Sequence, residues 1–266
     1  MARLRFTILG SGSSGGVPRI GELWGNCDPA NPKNRRTRCS MLVERFEGEG
    51  VTRVLIDTSP DMREQLLRAG VYKLDAVAYT HSHSDHVNGL DDLRQIVFHI
   101  RRQVPVWADG PTQDSLVARF GYAFVQAEGS SYPPICELHT IRGPLRIAGE
   151  GGVIELRPFE VDHGDIDALG FRIGGLVYLP DVLSIPEPVW DEHLTGLDCW
   201  IVDALRRNPH PTHAHLALAL EWLDRARPKL GVLTNMHNDL DYDTVEAETP
   251  PHIRAAFDGM VLEYEV

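Results

Sequence analysis

Six residues constrain this chain more than any others: His81, Ser82, His83, Ser84, Asp85 and His86 put four metal-ligand side chains into one short run. They follow the apolar stretch Leu74–Thr80, which predicts a buried strand with the cluster as the loop at its carboxyl end. Imidazole is a borderline ligand for Zn, Mn or Fe, and an adjacent carboxylate adds the hard oxygen that a divalent ion accepts. A solvated His-rich loop is the alternative, but such loops scatter histidine through polar sequence, whereas these residues terminate an apolar strand. His81 and His83 are two apart, so an extended backbone sends both to one side. Asp85 and His86 are adjacent and are expected to diverge, which suits two metals better than one.

The later part of the chain echoes the earlier part. Val54–Asp57 and Leu74–His81 find counterparts in Tyr178–Asp181 and Leu197–Ala204, with spacings that agree within a residue. An internal duplication of this kind predicts two βαβ-rich halves, about 1–150 and 151–266, within a single domain. The 266 residues are enough for one large α/β domain with a substantial core.

Composition narrows the partners. With 26 basic against 38 acidic residues the formal charge is −12, which favours solubility and disfavours broad attraction to nucleic acid or anionic lipid. The four cysteines, Cys27, Cys39, Cys136 and Cys199, form no C-x-x-C pair and no dense framework, so reduced thiols are expected. No apolar stretch approaches a membrane span, and Met1–Leu9 runs into a glycine loop without a cleavage site. The expected location is the cytoplasm.

Leu4–Leu9 reads as a strand, and Gly10, Gly12 and Gly15 after it match the spacing of a dinucleotide-binding loop. That match is a decoy, because Pro18, Gly21, Gly25, Pro29 and Pro32 forbid the helix such a loop must open. A backbone that offers N–H groups to a ligand and a purely structural turn both remain open. Arg35, Arg36 and Arg38 are read as solvated loop charge in preference to a phosphate contact. Strands are expected at Cys39–Arg45, Val51–Ile56 and Val104–Ala108. Helices are expected at Asp61–Ala69 (closed by Gly70), Asn88–Arg102, Thr112–Tyr122 and His213–Ala226. Residues 103–150 are the least informative and read as a substrate-facing insertion. His99, His139, His193, His210, His215 and His252 are assigned to packing or surface.

The pattern H-x-H-x-D-H after a strand resembles the signature of the metallo-β-lactamase fold, and the resemblance extends over nearly the whole chain. It implies an α/β architecture of four layers, αββα. In that fold the later ligands are a lone His, a bridging Asp and a final His at strand ends. Here His163 follows Ile154–Asp162, Asp181 ends Gly175–Pro180, and His237 follows Leu230–Met236. The resemblance thus implies two divalent ions, Zn²⁺ or Mn²⁺: one held by His81, His83 and His163, the other by Asp85, His86 and His237, with Asp181 touching both. Asp57 matches a carboxylate that braces the metal loop. Gly10–Pro18 and Asn235–Tyr242 resemble one branch in particular, that of the cyclic ribose phosphate phosphodiesterase of the carbon–phosphorus lyase pathway. Many members of that branch carry several Cys in the first loop that hold an extra structural zinc. This chain keeps Cys27 alone, so that site is expected to be absent.

The function this implies is hydrolysis of a phosphodiester by a hydroxide shared between two metals, with Asp85 helping to orient it. His213, at the position the branch matches, is either the general acid for the leaving oxygen or a phosphate clamp. The acidic balance makes a small cyclic or nucleotide-like phosphodiester the expected substrate. Long nucleic acid and membrane are not expected partners, and a homodimer is allowed. On the same framework the alternatives are a tRNA-processing ribonuclease, a thioester or lactam hydrolase, and a quinone-cofactor biosynthesis protein. A metal-binding regulatory protein without turnover is the alternative from another class.

Overall fold

The computed structural model describes residues 2–126 and 128–266. Strand β1 (Arg3–Gly10) enters the glycine loop. From Ser11 to Cys39 the described backbone holds one 3-10 turn, Pro32–Asn34, and otherwise turns and isolated bridges. The helix-breaking residues of the sequence account for this. Next come β2 (Ser40–Glu47), β3 (Gly50–Ile56), α1 (Met62–Ala69), β4 (Ala76–Ala78), α2 (Ser84–Val87), α3 (Leu93–Ile100), β5 (Val104–Ala108), α4 (Gly110–Phe124) and β6 (Cys136–Thr140). The chain continues through β7 (Leu145–Gly149), β8 (Gly152–Asp162), β9 (Asp167–Ile173), β10 (Leu176–Leu179), α5 (Glu187–His193), β11 (Cys199–Asp203), α6 (Leu216–Ala226), β12 (Leu230–Thr234), α7 (Tyr242–Glu248), β13 (Ile253–Ala255) and β14 (Met260–Glu265).

The strands form two seven-stranded sheets, ordered β14-β1-β2-β3-β4-β5-β6 and β13-β12-β11-β10-β9-β8-β7. Their pairings repeat. β2 and β3 are antiparallel, then β3–β4, β4–β5 and β5–β6 are parallel. Likewise β9 and β10 are antiparallel, then β10–β11, β11–β12 and β12–β13 are parallel. A helix follows the corresponding strand each time, as α1 follows β3 and α5 follows β10. Parallel neighbours need such crossovers, and strands covered on both faces read as unbroken apolar runs, as β4 and β10 do and β11 does up to Asp203. Two mixed sheets with their crossover helices make an α/β sandwich.

By contacts the chain falls into two compact units. One comprises the chain up to Leu9, Ser40–Glu155 and Val261–Val266; the other comprises Gly10–Cys39 and Leu156–Met260. The glycine loop therefore belongs with the later strands, although it directly follows β1. In the first unit Leu42, Leu55, Val77, Tyr79, Leu90, Leu93, Val106 and Leu116 form a buried core. In the second, Trp200 is fully buried and meets Trp190 edge-on, with ring centroids 5.8 Å apart.

Three local departures from the expected elements have identifiable causes. The helix expected over Asn88–Arg102 begins only at Leu93, after a 3-10 turn at Leu90–Asp92. Gly89 explains the delay: its N–H donates to Thr58 O at 2.9 Å, and a Cβ there would lie 2.0 Å from Ser59 O. The helix expected from His213 begins at Leu216. Before it, Ala214 N–H donates to Val182 O at 2.6 Å and Leu205 N–H to Ala214 O at 2.9 Å, so that backbone is already committed. Asp85 and His86 lie on a helical turn, α2, and not on extended chain. Neighbours there are about 100° apart, so their tips need not point to opposite sides.

Candidate metal centre

In the first unit β4 delivers the chain to Thr80 and His81. Asp57, just past β3 with φ 64°, reaches across to brace this loop. Its Oδ1 accepts Thr80 N–H, and its Oδ2 accepts the Thr80 hydroxyl and faces His86 Nδ1, all at 2.8 Å. The Thr80 hydroxyl has one proton and gives it to Asp57, so its lone pair accepts from His81 Nδ1 at 2.9 Å. Both histidines are thereby fixed with Nδ1 as donor and Nε2 as the nitrogen suited to a metal. His81 Nε2 lies 3.0 Å from His83 Nδ1, which places the two on one side of the loop as their spacing implies. Asp85 and His86 do not diverge. Oδ2 of Asp85 is 3.4 Å from Nε2 of His86, the helical turn having brought them together. His81, His86 and Asp57 are all buried. Burial pushes the Asp57 carboxyl up, while His86 and Thr80 pull it back.

In the second unit His163 follows β8, Asp181 follows β10 by two residues and His237 follows β12 by three. His163 Nδ1 donates to Thr212 O at 2.7 Å, so Nε2 faces Asp181, 3.8 Å from its Oδ1. His213 lies beside them, with its Nδ1 2.8 Å from Asp203 Oδ2 and 3.5 Å from Asp181 Oδ1. One ligand atom from each of His163, Asp181 and His213 falls within 4.8 Å of the others. Asn235, held at φ 60°, donates from one amide to both Asp181 Oδ1 and Asp203 Oδ1 at 3.2 Å. Burial pushes the Asp203 carboxyl up, and the Asp181 charge adds to this against the pull of His213. His237 Nδ1 lies 3.1 Å from Asp239 Oδ1, and its backbone N–H donates to Leu205 O. Burial lowers the His237 pKa, and Arg19 presses it further down.

Of the remaining residues, His99 packs edge-on against Tyr72 and His139 stacks on Trp107. His215 caps α6 without a side-chain bond. His210 is not a plain surface histidine: its ring meets His213 at 5.1 Å, and its Nδ1 faces Thr212 N and Oγ1. Arg36, expected in solvent, is 2% exposed. Cys27 Sγ is buried against Asn238 O, Leu240 O and the Arg36 guanidinium. Asn235 and Asp239 belong to the Asn235–Tyr242 motif, but their contacts, like those of Asp203, are not evident from the sequence. Asp203 had a signal, since it ends β11, the counterpart of the strand that leads to His81.

Imidazole nitrogens with Nδ1 held from behind, accompanied by carboxylate oxygens and no thiolate, are a donor chemistry that suits Zn²⁺ or Mn²⁺. Fold and donor chemistry together make this cluster a candidate site for divalent metal ions. A family model described as a beta-lactamase superfamily domain matches residues 52–236, and the chain belongs to that superfamily. A solved structure described as a new diphosphatase from the PhnP family is similar at 36% identity and TM-score 0.86, over 99% of this chain and 98% of that one. A protein of Porphyromonas gingivalis named octanoyltransferase is 35% identical over 97% of this chain. Ribonuclease Z of Bradyrhizobium sp. is 28% identical over 53% of it. The chain spans about half the length of these two named relatives, 51% and 45% respectively. No described helix is long and apolar enough to cross a membrane.

Proposed function

We propose that this protein is a dinuclear metal-dependent phosphodiesterase of the cyclic ribose phosphate phosphodiesterase branch, acting on small cyclic or nucleotide-like phosphodiesters. His81, His83 and His163 would hold one ion and Asp85, His86 and His237 the other, with Asp181 bridging. Divalent ions so held supply an acidified water and neutralise charge on phosphoryl oxygens. The chain's own residues do the rest. Asp57 and the Thr212 carbonyl occupy Nδ1 of His86 and His163, which leaves Nε2 of each as the nitrogen that would meet an ion. Asp203 holds His213 by Nδ1, which leaves Nε2–H as the group that would be delivered to the departing ester oxygen.

The observation that carries this reading is the contact of His213 with Asp203 beside Asp181: an imidazole backed by a buried carboxylate at a metal-ligand cluster is equipped for proton donation. The whole-length relative described as a diphosphatase, and the ribonuclease Z relatives, favour phosphorus as the centre attacked. Purified protein supplied with Mn²⁺ or Zn²⁺ should hydrolyse members of a panel of cyclic and linear phosphodiesters, with diphosphates run alongside. Asp181→Asn should weaken both ions together, because a neutral amide cannot compensate two cations. Protein loaded with two ions that turns over diphosphates alone would sink the phosphodiester reading. Normal turnover by a fully loaded Asp181→Asn variant would remove Asp181 from the bridge.

A further inference from the structure

The loop after β1 contains a charge that no step above uses. Arg36 is buried, yet no carboxylate among the described residues bonds to its guanidinium. Its Nη1 donates to His237 O at 3.4 Å and faces Cys27 Sγ at 3.8 Å, and its Nη2 donates to Asn34 Oδ1 at 3.2 Å. Its Nε has no hydrogen-bond partner among the described residues. Asn34 is itself fully buried and spans two segments, donating to Asp28 O and Asp241 Oδ2 and accepting Tyr242 N–H at 2.8 Å. The segment His237–Tyr242 is thus gripped along its length by residues 23–36. Asn26 N–H donates to Asn238 O at 2.8 Å, and Asn238 Nδ2 donates to Leu23 O at 3.1 Å. Gly25, at φ 61°, passes so close that a Cβ would lie 2.2 Å from Asn238 O.

A guanidinium taken out of water loses hydration that these neutral acceptors only partly return, and one of its donors stays unmatched. A residue needed only for packing would be better apolar. What an apolar side chain cannot do is hold acceptors from two segments at fixed separation, which the planar fork of arginine does. One of those acceptors is the carbonyl of His237, whose imidazole is a proposed ligand. We infer that Arg36 is a positioning residue for the metal site served by His237, a buried strut that fixes the backbone from which that imidazole projects. The inference rests on His237 being a ligand, as proposed above.

Chelator-stripped protein titrated calorimetrically with Mn²⁺ decides the matter. Wild type should take two ions, and His237→Ala identifies which of them depends on His237. In Arg36→Met that same ion should bind about 10- to 100-fold more weakly, the usual effect of losing a residue that orients a ligand. The other ion should keep its affinity. Arg36→Lys, which retains the charge and loses the fork, should weaken the same ion to a smaller degree, and it carries the test alone if Arg36→Met does not fold. A purely structural Arg36 would lower the melting temperature and leave both affinities equal to wild type, and that result overturns the inference. Weakening of both ions alike overturns it too. If wild type takes fewer than two ions, the dinuclear reading fails. The role of Arg36 then stands only if its variants weaken the ion that His237→Ala removes.

Discussion

His213 and Asp203, ten residues apart in the chain, meet with Nδ1 2.8 Å from Oδ2. This pairing occupies Nδ1 and leaves Nε2 as the ring nitrogen available to a substrate. His213→Ala should therefore keep bound metal and lose about 10²–10⁴ in turnover on a substrate with an alkoxide leaving group. A phenolate leaves without a proton, so the loss should shrink sharply with that substrate. Asp203→Asn should give a smaller loss of about 10- to 100-fold with the same leaving-group dependence. Steady-state kinetics on the two substrate types checks both variants. Equal losses for both leaving groups would assign His213 to phosphate binding instead.

Asp57 joins β3 to the histidine loop, and Asn is an isosteric replacement that tolerates its positive φ. Asp57→Asn therefore isolates the carboxylate. An amide cannot accept from Thr80 and from His86 with the same two oxygens, so stability should fall by about 1–3 kcal/mol. Affinity for the ion proposed to be held by His86 should fall about 10- to 100-fold. Denaturant unfolding and metal titration read the two effects, and unchanged metal affinity would take the bracing role from Asp57.

Asp241 caps α7 through Oδ1, which accepts Thr244 N–H at 3.0 Å, and ties down the first loop through Oδ2, which accepts Asp28 N–H and the Asn34 amide. Burial pushes its carboxyl up, but these hydrogen bonds outweigh it and bring the pKa down to about 2. A carboxyl depressed on folding stabilises the protein above its unfolded pKa of about 3.9 and ceases to do so as pH falls toward the folded value. Asp241→Ala should cost about 1 kcal/mol at neutral pH, the usual worth of an N-cap. The gap from wild type should stay constant above about pH 5 and narrow as pH falls from about 4 toward 2. Urea unfolding across that range measures it, and a gap that widens in acid would contradict the assignment.

Much of the architecture is written locally. The His81–His86 run, the strand before it and the echo of Val54–Asp57 in Tyr178–Asp181 all lie within short windows, where alternation and apolar runs report strand ends directly. Helix ends set by the chain's own chemistry were equally legible, as at Gly70, whose left-handed backbone closes α1. Where the helix start is set by a distant neighbour, the local signal misleads. Gly89 is held against Thr58 and Ser59, and Ala214 against Val182, so α3 and α6 both begin later than their sequences suggest.

The sequence by itself determined which residue types stand at which strand ends, because strand periodicity and ligand chemistry are properties of consecutive residues. Only the tertiary structure decided how charge is buried and aimed. Arg36 reads as loop charge until the carbonyl of His237, 201 residues away, is brought against it. Asp203 reads as the tail of a strand until His213 meets it and Asn235 links it to Asp181. Whether a polar group is solvated, paired or held behind a ligand depends on what packs on it from elsewhere in the chain, and no spacing along the backbone encodes that.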